Sequence, residues 1–113
     1  FSRLLSERRL PVFQYAWYAD IPDPDNFLFK LFHSQSAANF TGYANPRVDA
    51  LLVRARKEAD IMRRVEEAVL DDAPILPVWH YSYERIFKPY VRNVEVNGLG
   101  DPYIPFRKVW LAR

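Results

Sequence analysis

The chain has 113 residues, enough for one domain with a modest core and no need of staples. Half of it is hydrophobic and 16% aromatic, which excludes a disordered, highly charged chain. Sixteen basic against fourteen acidic residues leave a net charge of only +2, too small a surplus to argue for nucleic-acid binding.

Residues 1–10 (FSRLLSERRL) space Phe1, Leu4, Leu5 and Leu10 among charges, as the tail of a helix would, and Pro11 ends it. Beginning at Phe1 with no charged leader, the chain reads as part of something longer. Residues 12–19 (VFQYAWYA) are aromatic and β-branched on both faces, which predicts a buried strand. Asp23 then offers a cap with Pro24 at the first helical position, and Phe27, Leu28, Leu31 and Phe32 predict a helix over 24–32.

Residues 33–43 read as a polar loop. Asn45-Pro46 repeats the cap-and-proline device and opens a helix over 46–58, with Val48, Leu51, Leu52, Ala55 and Ala59 as one apolar stripe. Asp60 is expected to cap a third helix over 60–73, ending before Pro74. The short connection KEAD predicts an antiparallel helical hairpin. The basic clusters RARK (54–57) and MRR (62–64) are expected on solvated helix faces. Residues 75–88 predict one long extended segment interrupted at Pro77, residues 91–96 a half-buried strand, and residues 107–112 a short closing strand after a turn-rich stretch. The fold class is therefore mixed α/β. No apolar run approaches the ~18–20 residues needed to cross a bilayer.

Chemistry-bearing residues are few. Without cysteine there are no disulfides, thiolate metal sites or cysteine nucleophiles. Asp20, Asp23, Asp25 and Asn26 suggest calcium, but no glycine stands at the sharp turn, and two prolines stiffen the loop. Capping and the helix dipole already account for Asp23 and Asp25. His33 and His80 show no zinc spacing. No G-x-S-x-G presents Ser34, Ser36 or Ser82 as a nucleophile, and three glycines cannot build a phosphate-cradling loop. No metal or cofactor is expected.

Asp20 differs, because it follows a run expected to be buried. A buried carboxylate left unpaired costs several kcal/mol, on the order of its desolvation penalty. Its partner is either an internal Arg or Lys or a cationic ligand group walled by Trp17 and Tyr18; the residues alone leave both open.

The blocks AWYADIPDPDNFLFKLFHS, NFTGYANPRVDALLVRA, DDAPILPVWHYSYERIFKPYVRNVEVN and VWL, in this order with short spacings, resemble the C-terminal part of the extracellular solute-binding proteins serving dipeptide, oligopeptide and nickel ABC importers. The resemblance covers nearly the whole chain. It implies a fragment of a two-lobed, type II periplasmic-binding-protein-like α/β fold, with a mixed sheet and a helical hairpin, that traps its ligand between lobes. Residues 1–88 would be a late part of the second lobe, with 12–20 and 75–88 as neighbouring extended segments at the cleft. Residues 89–113 would return to pack on the first lobe.

By resemblance, Asp20 closes a W-x-x-D block and pairs with a peptide's α-ammonium group. Trp17 belongs to the same block, Tyr18 sits where main chain meets ligand, and Tyr81, in a P-V-x-x-Y block, also faces it. The chain departs from the family in Asp20-Ile21-Pro22-Asp23-Pro24, where DYPDP is common, and in Trp79-His80-Tyr81, where tyrosines run.

The expected function is capture of dipeptides or oligopeptides for a membrane permease, in the periplasm or at the outer face of the cytoplasmic membrane, with no catalysis. Two rivals are a small hydrolase using Asp20 or Asp23 with His80, and an interaction module on the 46–73 hairpin. The chain alone, with Phe106 and Trp110 uncovered, is expected to form a dimer or to swap elements.

Overall fold

The computed structural model describes residues 1–82, 84–99 and 104–112. The chain divides into two compact units, Phe1–Pro77 and Val78–Arg113. Among the described residues no helix is long and apolar enough to cross a membrane.

The first unit is helical. Helix α1 (Ser2–Ser6) stops earlier than Pro11 because Arg8 turns to a left-handed φ of 54°. Helix α2 (Asp25–Phe32) follows Pro24, and Asp23 Oδ1 accepts the Asp25 N–H at 2.8 Å, which is the capping role expected of it. Helix α3 (Pro46–Ala55) is capped by Asn45, whose Oδ1 accepts the N–H groups of Arg47 and Val48 at 3.0 and 3.4 Å. Helix α4 (Met62–Asp72) is entered through a 3-10 turn, Ala59–Ile61. Asp60 lies inside that turn and makes no side-chain cap bond, so the expected cap is absent.

The apolar stripes of α3 and α4 face each other and α2. Phe32, Val48, Leu51, Leu52, Ala55, Ile61, Val65 and Val69 form one buried cluster, with Leu28, Phe29, Leu31, Tyr43, Met62 and Ala68 packed around it. Burial of each large member stabilises the fold by about 1.5–3 kcal/mol. Tyr43 and Asn45, before α3, both donate hydrogen bonds to the carboxylate of Asp72 at the end of α4. This contact closes the hairpin in the antiparallel sense expected.

The strands depart most from the sequence reading. Residues 12–19 join no ladder and are mostly exposed; only Phe13, Trp17 and Ala19 are half-buried. Described residues of 75–88 form no strand either. A strand is completed only by a partner edge, and the described residues supply one ladder: β1 (Val91–Arg92) antiparallel to β2 (Trp110–Leu111), with Val91 opposite Leu111 and Arg92 opposite Trp110. The expected mixed sheet is thus a two-stranded ribbon.

The strand read over 91–96 ends at Arg92, because Asn93 adopts a φ of 58° and donates its side-chain N–H to the Lys108 carbonyl at 3.0 Å. The strand read over 107–112 is shortened by a 3-10 turn at Phe106–Lys108. The turn-rich residues 100–103 lie outside the described residues.

Candidate functional site

Asp20, Trp17 and Lys30 are assembled around one buried amide. Asn26, in the first turn of α2, is 6% exposed. Its Oδ1 accepts the backbone N–H of Asp20 at 3.0 Å, and its carbonyl accepts the indole N–H of Trp17 at 2.8 Å. One residue therefore holds both the carboxylate's backbone and the aromatic ring. Sequence reasoning missed Asn26 beyond its place among the acids. The one available signal was an asparagine just inside a proline-opened helix, a position whose side chain can serve neighbouring N–H groups.

The Asp20 side chain itself is 68% exposed, which corrects the expectation of a buried carboxylate. With residues 12–19 in no sheet, nothing draws it inward. Its Oδ2 receives the ammonium of Lys30 at 3.2 Å, and the same Lys30 Nζ lies 5.7 Å from the centroid of the Trp17 ring. An internal cation thus pairs with Asp20, in the open rather than in a sealed interior.

The neighbouring acids go to other partners. Asp25 takes a two-point hydrogen bond from Arg56, both contacts at 2.9 Å. The Arg56 guanidinium also lies 3.5 Å from the centre of the Phe29 ring, and Phe29 stacks on His33 at 4.3 Å. These contacts lock α2, and the site it carries, onto the end of α3. Bonding to Asp25 raises the Arg56 pKa above its already high ordinary value.

The loop after α2 is built on a second amide. Asn39, 1% exposed, donates to the carbonyls of His33 and Tyr43, while its Oδ1 accepts from the Thr41 hydroxyl and the Gly42 N–H. Gly42 has a φ of +73°, a conformation that suits glycine. Ser34 gives its N–H and hydroxyl to Asp49. Burial pushes the Asp49 carboxyl up, but these two bonds and the charge of nearby His33 outweigh it and leave the pKa below the ordinary 3.8.

Tyr18 lies beside Trp17 in sequence and is exposed. In the second unit, Tyr81 is exposed and meets Trp79 edge to face at 5.9 Å. His80 is also exposed. The apolar stripe of the 46–73 hairpin is not available to a partner, since Leu51 and Leu52 are buried in the core.

No family model matches the chain. It is 33% identical to the dipeptide-binding protein DppE of Bacillus subtilis over 92 residues, 76% of this chain and 16% of that protein. It is 28% identical to the periplasmic murein peptide-binding protein MppA of Escherichia coli over 96 residues, 80% of this chain and 18% of that protein. Over 81 residues it is 37% identical to the periplasmic oligopeptide-binding protein OppA of Salmonella typhimurium, covering 66% of this chain and 15% of that protein. The chain spans less than a fifth of the length of these relatives, all of them named as binding proteins rather than enzymes. The chain belongs to the family of extracellular solute-binding proteins that includes these dipeptide- and oligopeptide-binding proteins.

Proposed function

We propose that the protein is the substrate-binding component of an ABC importer, capturing dipeptides or oligopeptides between two lobes and passing them to a membrane permease. On this reading it works in the periplasm or at the outer face of the cytoplasmic membrane and does no covalent chemistry. Residues 1–88 belong to the second lobe and 89–113 return toward the first. Asp20 holds the ligand's α-ammonium, Trp17 and Tyr81 form apolar walls, and Tyr18 contributes main-chain contacts.

The observation that carries the reading is Asp20, whose carboxylate is exposed while its backbone N–H and the Trp17 indole are both held by Asn26. A ligand ammonium there would make a charge-assisted hydrogen bond, about twice as strong as a neutral one. The names of the relatives agree with a peptide as ligand. Gripping the peptide's charged end reads no side chain, so many sequences are accepted.

The test is calorimetric titration of the protein carrying this sequence with trialanine. N-acetylation of the peptide, or Asp20→Asn in the protein, is expected to weaken binding about ten- to hundredfold. Equal affinity for free and acetylated peptide removes the assigned role of Asp20. Ester or peptide turnover that collapses in Asp20→Asn would instead identify a hydrolase.

A further inference from the structure

The site proposed for a ligand's amine already holds one. Lys30 Nζ lies 3.2 Å from Asp20 Oδ2 and 5.7 Å from the Trp17 ring centre. A carboxylate and an aromatic face are the two features that attract a primary ammonium. Their arrangement is built into the fold. Asn26 ties down the Asp20 backbone and the Trp17 indole, and Lys30 lies one turn further along α2, on the same helix face as Asn26. Carboxylate, ring and ammonium therefore hang from a single helix.

We propose that Lys30 is an internal occupant of the Asp20 site, displaced when a ligand with a free amine is captured, and so a determinant of selectivity. The inference rests on the amine-binding reading above. Lys30 and Asp20 are both substantially exposed, and a pair of that kind is worth a factor of about five at most in an equilibrium constant. A peptide ammonium that replaces the Lys30 charge and adds its own contacts displaces it at small cost. A guest without a cation leaves Asp20 and Lys30 paired, so it gains nothing from the site.

The experiment titrates the protein carrying this sequence with trialanine and N-acetyl-trialanine, as wild type, Lys30→Met, Asp20→Asn and Lys57→Met. Lys57, exposed beyond the end of α3, controls for the lost positive charge. Circular dichroism checks that each variant is folded. Lys30→Met is expected to bind trialanine about two- to fivefold more tightly, with acetylated peptide unchanged and Lys57→Met equal to wild type. Equal or weaker trialanine binding in Lys30→Met overturns the proposal, as does an equal gain in Lys57→Met or no binding in any form. If Asp20→Asn weakens binding while Lys30→Met changes nothing, the Lys30 inference fails and the amine site stands. If Asp20→Asn is also without effect, the amine site fails with it.

Discussion

Tyr43 and Asp72 are 29 residues apart, and the hydrogen bond between them is among the contacts that close the helical hairpin. Burial, then the bond to the Asp72 carboxylate and that carboxylate's charge, push the Tyr43 phenol from 10.0 up to about 12. The bonds from Tyr43 and Asn45 hold the Asp72 carboxyl below its ordinary 3.8. The signs follow by linkage. Tyr43, with its pKa raised on folding, contributes stability that is complete below pH 10 and is lost as pH rises through about 12. Asp72, with its pKa lowered, contributes stability that is complete above pH 3.8 and is lost as pH falls below it. Tyr43→Phe should therefore flatten both the alkaline slope and part of the acid slope in urea-unfolding free energy measured against pH. Unchanged slopes would mean that the bond carries no folding energy.

At the scale of elements, the end of α4 carries a defect that can be repaired. Ala73 closes the helix at φ 47° and ψ 48°, a left-handed conformation in which its Cβ is a liability. Ala73→Gly should raise stability by about 0.5–1 kcal/mol, read as a higher urea midpoint at unchanged slope. A lower midpoint would show that the extra chain entropy of glycine outweighs the relieved strain. The helices themselves were legible in the sequence because their determinants are local. The 3.6-residue spacing of Val48, Leu51, Leu52 and Ala55, the Asn45-Pro46 start and the stop before Pro74 all act within a turn or two. Asp60 misled because a capping residue type was present where the chain takes a 3-10 turn instead. The run 12–19 misled more deeply: its residue types suit a strand, but pairing depends on a second segment that composition cannot specify.

At the scale of the whole chain, apolar groups are buried very unevenly. The first unit holds the buried cluster, whereas no described apolar residue of the second unit is fully buried. Ile86 is 97% exposed, and Phe87, Tyr90, Phe106, Trp110 and Leu111 are exposed as well. Surfaces of this kind promote association. The 113-residue chain by itself is expected to self-associate, giving a sedimenting mass above its own 13.4 kDa at tens of micromolar. A strictly monomeric mass there would contradict it.

The amino-acid order by itself determined the helices, the first caps and the kinship with peptide-binding proteins, since each is written in short-range spacing or in runs of residues. Only the tertiary structure decided that Asn26 and Asn39 are buried, that Asp20 stands open beside Lys30, and that Tyr43 meets Asp72. The physical reason is that a polar group's burial and pKa depend on which donors and charges converge on it from distant positions.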